Sequence, residues 1–499
     1  MCIRDSTPTG TVKLQEIREW PISSRALFGL SPEEVKNMDK KDRTSLLSRH
    51  NLEITQAELA RCREAIRNGK IWELAETAFN EHESSKLLSD YAEANGFTLE
   101  RGVAGMPTAF VATYGEGKPV ISVLGEFDAL PGLSQDTTPT KKPLTEDGNG
   151  HGCGHNLFGA ASLAAAIAIK EQIENGDLKG TIKFFGTPSE EKFFGKIWMV
   201  DAGLWDDVDV NLSWHPGYYT ESDVQSTLSL IDFQVEFFGQ AAHASMDPWN
   251  GRSASDALEL YTSAINYYRE HVKPTVRMHY HIQDGGKVVN VVPDYSKLWV
   301  RVRDSDRAGM TPVYERVMEM AEGAAILANV DYKVTLISGI YEVLVNRRGG
   351  EIMQKNLELL GPIEYNSDEI KFAKELQLTL DKPQVGLNGL IYPLRETIIN
   401  GGGGSTDVGD VSWNVPNINL SVTTAPYETP WHSWAVVACG GMSIGHKGAI
   451  YASKAMAFTM SDLFKSDKLV KEIKDEFLMR KGDHVYEPMI DGPPPINQN

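Results

Sequence analysis

The chain has 499 residues, 41% of them hydrophobic and 23% charged, and carries a formal net charge of −19. Its length exceeds one ordinary core, so two or three domains are expected, and its balance of residue types is that of a soluble globular protein. The acidity argues against nucleic acid, an anionic membrane or any other extended polyanion as the main partner, and leaves room for a small anion in a local cationic pocket. The four cysteines, Cys2, Cys62, Cys153 and Cys439, are too scattered for a disulfide framework. A reducing interior, the cytoplasm by default, is therefore expected, and there Cys153 would stay free for metal. The sequence contains no apolar run of about 20 residues that would predict a membrane span, and residues 1–10 lack the apolar core of a secretory signal.

Residues 1–44 are polar and read as an extension. A helical pattern of apolar residues runs over 44–68, and a second helix is predicted over 81–95, closed by Gly96. Strand and helix then alternate: a buried strand over 119–127, an Ala-rich helix over 156–173, and strands over 181–186 and 210–214. That alternation predicts a mixed, mostly parallel sheet flanked by helices. From about residue 227 the order becomes strand 231–238, helix 253–271, strand 276–283, strand 297–303, helix 309–329 and strand 331–338. This is the ferredoxin-like sequence of elements, read as a unit inserted over 227–341 between catalytic segments 45–226 and 342–485. Residues 346–380 look mainly helical and 381–397 irregular, and Gly401 to Gly404, followed by Ser405-Thr406-Asp407, reads either as a flexible loop near the site or as a surface turn. A strand over 418–422 and a helix over 448–464 follow. The tail, 486–499, reads as loose because it is rich in proline.

The residues carrying chemistry centre on His151-Gly152-Cys153-Gly154-His155-Asn156. In an extended segment positions i and i+2 face the same side, so Cys153 and His155 would converge on one point, as thiolate and imidazole ligands of a zinc-type ion. Asp128, Glu190, Glu191 and His215 all fall just past predicted strand ends, where open parallel sheets bind ligands. Each has a plainer explanation. Glu190-Glu191 would suit an exposed acidic turn, His215 a satisfied core histidine, His432 a ring packed between Trp431 and Trp434, and Asp128 a turn cap. His243 lies in the inserted unit and would serve a site only where domains or subunits meet.

The motifs GEFDALPGLSQ, NGHGCGHN, PSEE, DDVDVNLSWHP, GQAAHAS, NVVP, GSTDVGDVSW and TPWHSW, in that order, resemble those of the M20 metallopeptidase and amidohydrolase family. The likeness spans about residues 45–490 and implies a zinc-exopeptidase-like fold whose inserted domain serves as lid or dimerisation surface. It also implies two divalent ions, Mn2+ or Zn2+, held by Cys153, His155, Glu191, His215 and His432. By the same resemblance Glu190 is the catalytic base, Asp128 orients a ligating imidazole, His243 steadies the oxyanion across a dimer interface, and Asn290 contacts substrate. Asn156 stands where amino-acid amidohydrolases of the family usually have Asp, which favours the aminobenzoyl-glutamate branch. The expected substrate is then an N-acyl amino acid, p-aminobenzoyl-glutamate foremost, in folate catabolism. The expected assembly is a homodimer or a heterodimer with a related chain. Arg252 and Arg303 are candidate anchors for a substrate carboxylate. A dipeptidase or aminoacylase with the same machinery, or a non-catalytic partner of a heteromeric hydrolase, are the alternatives.

Overall fold

Strands buried on both faces organise the molecule in the computed structural model, which describes residues 70–399 and 403–496. The extension and the helix expected over 44–68 lie outside the described residues. The first half of the chain forms α1 (Lys70–Leu74), α2 (His82–Ala94), β1 (Thr98–Arg101), β2 (Phe110–Glu116), β3 (Val120–Glu126), α3 (His155–Glu174), β4 (Gly180–Thr187), α4 (Lys196–Asp201), β5 (Val210–Gly217) and β6 (Glu221–Asp223). Together with β11 (Asn417–Thr423) these strands make a seven-stranded sheet in the order β1-β2-β4-β3-β5-β11-β6. Its centre, β4-β3-β5-β11, is parallel. Strands β1, β2 and β6 add antiparallel pairing toward the edges. Every residue of β3 is buried, as a parallel strand covered on both faces requires.

Helix α3 lies against this centre and is apolar nearly all round, so it is a core helix rather than an amphipathic surface one. It approaches β3 through paired glycines. A Cβ on Gly159 would sit 2.7 Å from the Glu126 carbonyl oxygen, and one on Gly125 would sit 2.9 Å from the Gly159 Cα. Gly159→Ala should therefore push α3 off β3 and cost about 1–3 kcal/mol by overpacking. The measurement is the urea midpoint at unchanged slope; an unaltered midpoint would show that the contact is slack.

The inserted unit comprises β7 (Ser229–Phe238), α5 (Ala254–Tyr268), β8 (Arg277–Asp284), β9 (Tyr295–Asp304), α6 (Arg307–Ala328) and β10 (Asp331–Ile340). Its four strands pair antiparallel in the order β10-β7-β9-β8, the ferredoxin-like topology expected from the element order. Along β9 buried and half-buried residues alternate, so one face of the sheet meets the helices α5 and α6 over a core of its own.

The chain then returns through α7 (Arg347–Leu360), α8 (Ser367–Thr379), α9 (Val408–Ser412), β11, α10 (Trp434–Gly440), α11 (Ser443–Phe464) and α12 (Asp467–Lys481). The stretch read as mainly helical is broken at Gly361-Pro362, because proline cannot continue a helix. The tail departs from expectation. The Gly339 amide donates to the Met489 carbonyl at 2.9 Å, the Trp198 indole donates to the Gly492 carbonyl at 3.0 Å, and the Tyr486 hydroxyl donates to Asp410 at 2.9 Å. Proline content lowers helix and strand propensity, but carbonyls and a tyrosine can still be tied down by donors elsewhere in the fold.

Candidate active site

The sequence-predicted residues gather at the carboxyl edge of the parallel strands. Asp128 follows β3 by two residues, Glu190 and Glu191 follow β4, and His215 sits in the last residues of β5. His432 lies between β11 and α10, and Cys153 and His155 at the entry to α3. The donor atoms of Cys153, His155 and His215 all lie within 4.8 Å of one another, as do those of Cys153, Glu191 and His432. Cys153 Sγ is 3.2 Å from His215 Nε2, and His432 Nε2 is 3.4 Å from Glu191 Oε2.

The local path differs from the extended segment expected. Gly154 has φ 82°, and His155 is the first residue of α3. The thiol and imidazole therefore converge across a left-handed turn, not by strand alternation. A side chain at Gly154 would be strained there and would bring its Cβ to 3.0 Å from Pro216. His432 itself holds φ 55° and Ser189 φ 60°. Non-glycine residues in that region cost about 1–3 kcal/mol each and collect at functional sites. The His432 amide donates to the Gly152 carbonyl at 3.0 Å, which fixes the loop against the Cys153 turn.

The surroundings decide against the plainer explanations for several residues. Glu190 is 8% exposed and no surface turn, whereas His432 is exposed and not packed away. Burial, then Glu126, Glu191 and Asp407, hold the Glu190 carboxyl well above the usual range. Burial lifts Glu191 to about 7 even though the His155 imidazole opposes it. Burial and His155 push His215 down to about 4 and lower His432, keeping both rings neutral. For His155 burial opposes the charge, but Cys153, Glu126 and Asp128 outweigh it and raise the pKa. The neutral imidazoles of His215 and His432, the Cys153 thiol and the carboxylates belong to the donor types of a transition-metal site. Among the described residues, buried Glu191 Oε1 makes no hydrogen bond and keeps a lone pair for a cation, whereas His155 Nε2 faces Glu126 Oε2 at 3.0 Å and would exchange its proton there for a cation. The residues present fit two such ions sharing Cys153.

Behind these groups lies a shell of buried acids. Asp128 Oδ1 is 2.8 Å from His155 Nδ1, and its Oδ2 accepts from the Glu191 amide at 2.8 Å. One carboxylate thus holds two donor-bearing residues, the arrangement that orients metal ligands. Sequence reading missed further members. Glu81, buried and raised to about 8 by burial and Asp128, accepts from the Ser189 amide at 2.9 Å. Lys196 Nζ lies 2.7 Å from Glu126 Oε1 and 2.6 Å from Asp407 Oδ1, all three essentially excluded from solvent. Glu126 and Asp407 fall inside the family motifs, which by themselves suggest no role for them. Lys196 carries no sequence signal, since a lone lysine reads as surface.

His243 and Asn290 are not part of this cluster in the chain itself. Both are exposed on the inserted unit, where the Ala244 amide donates to the Asn290 carbonyl at 3.1 Å. His243 Nδ1 accepts from the Met246 amide at 3.2 Å. Arg252 exchanges backbone hydrogen bonds with Gln240 beside them, whereas Arg303 sits in β9 opposite Leu230 and Arg277.

Comparison with known proteins bears on this geometry. The model of peptidase family M20/M25/M40 matches residues 123–387. The chain is 39% identical over 435 residues to one polypeptide of the p-aminobenzoyl-glutamate hydrolase of Escherichia coli, covering 82% of this chain and 90% of that protein. It is 30% identical to a second polypeptide of the same bacterial hydrolase, over 46% of this chain and 55% of that one. The Xaa-Arg dipeptidase of Mus musculus is 26% identical over 82% of this chain and 87% of its own. Among solved structures, a dinuclear metal binding peptidase of the M20 family from Bacillus subtilis shares the fold with TM-score 0.54 at 18% identity, over 82% of this chain and 99% of that one. The chain belongs to peptidase family M20/M25/M40 and is, as its motifs implied, a hydrolase of amide bonds.

Proposed function

We propose that the chain hydrolyses N-acyl amino acids, p-aminobenzoyl-glutamate foremost, with two divalent ions, manganese or zinc, bound at the Cys153 cluster. The observation carrying this is the pair of overlapping donor groups that share Cys153 beside a buried Glu190. Cys153, His155 and His215 would hold one ion, and Cys153, Glu191 and His432 the other. Bound there, such ions make a water acidic enough to attack at neutral pH and polarise the amide carbonyl. Glu190, whose surroundings raise its proton affinity, would accept the proton of the attacking water and deliver it to the departing nitrogen. Asp128 would keep His155 and the Glu191 backbone in place throughout.

The inserted unit, residues 227–341, would serve as lid or dimerisation domain. Around His243 it exposes Met246, Trp249 and Val289, the last at 99%. Apolar side chains so placed suit a contact between protomers. Across it His243 would reach a partner's site and steady the oxyanion, with Asn290 touching substrate. The two related polypeptides of the bacterial hydrolase support a homodimer or a pairing with a related chain. Free thiols at Cys153 and Cys439 suit the cytoplasm, and the leading substrate would place the activity in folate catabolism.

Turnover of a panel of N-acyl amino acids and dipeptides by the purified chain, with metal content measured on the same sample, tests this. Chelation is expected to abolish turnover and re-addition of Mn2+ or Zn2+ to restore it; activity persisting in metal-free protein sinks the proposal. Preference for dipeptides in the panel would instead favour the dipeptidase reading that the mouse relative supports. Turnover only on adding a related chain would make this one a non-catalytic partner.

A further inference from the structure

A wall of aromatic rings leaves the metal-type cluster on one side. The His215 and Trp431 ring centroids are 6.5 Å apart, and those of Trp431 and Tyr218 6.0 Å. Tyr218 meets Tyr427 at 5.6 Å and Tyr219 at 4.5 Å. Tyr219 meets Tyr392 at 4.7 Å. These rings come from three separate segments: the end of β5, the irregular stretch after α8, and the loop after β11. All five are only partly buried, so the rings remain reachable from solvent. The Trp431 indole nitrogen is nevertheless buried with no partner, an unmet donor beside the reacting centre, where a buried indole normally finds an acceptor. At the outer end the Arg395 guanidinium stands 5.7 Å from the Tyr219 ring centroid and pairs with Glu221 at 2.8 Å.

A substrate whose scissile amide lies at the cluster can send one of its two arms along this wall. An amino-acid arm ending in carboxylates needs cations, and among the described residues the cation standing against these rings, Arg395, is already paired with Glu221. A flat aryl arm needs ring faces and edges, which the wall supplies over its whole length. The geometry points to Trp431, Tyr218, Tyr219 and Tyr427 as the subsite for an aromatic acyl group, with the amino-acid arm directed away from them. This assignment rests on the site being an N-acyl amino acid hydrolase.

Two substrates that share glutamate and differ only in acyl group, p-aminobenzoyl and acetyl, separate the arms. In Tyr427→Leu, kcat/KM for the aryl substrate is expected to fall about tenfold, mainly through KM, as lost ring contact predicts. The acetyl substrate should change less than about twofold, and Tyr427→Phe should restore the aryl rate. Equal losses on both substrates, or none on either, would overturn the assignment. Binding of p-aminobenzoate alone to the metal-loaded protein, followed by calorimetry, reads the subsite without turnover. It should weaken about tenfold in Tyr427→Leu and in Tyr218→Leu, and unchanged affinity in both would overturn the subsite. A wild-type protein that binds p-aminobenzoate but hydrolyses neither substrate would remove the hydrolase reading and leave the aryl subsite standing.

Discussion

Glu190→Gln is expected to lower kcat by about 10²–10⁴-fold, the usual contribution of a positioned general base, while the protein keeps its metal. Gln has the same shape but cannot accept the proton of an attacking water. Glu190 lies outside the two donor groups that share Cys153 but forms a third with Glu126 and His155, so metal content, expected to match wild type, is measured on the same sample to separate loss of a base from loss of a ligand. The carboxyl is buried among Glu126, Glu191 and Asp407, which together with burial raise its proton affinity. Replacing it relieves repulsion and desolvation, so the variant should unfold at the same temperature as wild type or higher. Such an exchange of stability for activity is common where acids are crowded for chemistry. Near-wild-type turnover in a metal-replete variant would remove Glu190 from the mechanism.

The second large effect concerns Lys196. Its ammonium bridges Glu126 and Asp407, and none of the three side chains is more than 1% exposed. Lys196→Met would leave two buried carboxylates without their counter-charge, and breaking a buried pair in this way costs about 3–5 kcal/mol. The loss should appear as a lower denaturant midpoint. It should be partly recovered in Lys196→Met combined with Asp407→Asn, which removes one of the stranded charges. A single variant within about 1 kcal/mol of wild type would mean that solvent reaches the cluster and screens it. The effect should extend to catalysis, because Glu126 Oε2 lies 3.0 Å from His155 Nε2 and is held in place by Lys196 from the other side.

How much of this was legible in the sequence follows from burial. The central strands could be read because a parallel strand covered on both faces is apolar throughout, so β3 and β4 stand out from their neighbours, and Asp128 and Glu190 stand out at their ends. The inserted unit could be read from its element order and from the period of two along β9. Strands β1 and β6 could not, being short, edge-placed and partly polar, nor could β2, whose second half, Tyr114-Gly115-Glu116, is partly exposed and polar. The membership of Glu81 and Lys196 in the site was hidden for a different reason. A charged residue in a sequence reads as solvated, and only tertiary structure shows that Lys196 has no exposed surface. Cys153 and His155 do converge, but by a different local geometry, because a glycine in the left-handed region can turn the chain where alternation would have kept it straight.

The order of strands in the first sheet has a consequence for biosynthesis. β11 pairs with β5 on one side and with β6 on the other, although the whole ferredoxin-like unit is translated between β6 and β11. His432 follows β11, so the nascent polypeptide holds Cys153, His155, Glu191 and His215 long before the last donor exists. A dinuclear centre built on the proposed donors would close only after a long-range strand insertion, a slow kind of step in a high-contact-order topology. On that donor set metal acquisition would be postponed to the end of folding, and bound ions would report that the catalytic unit has been assembled.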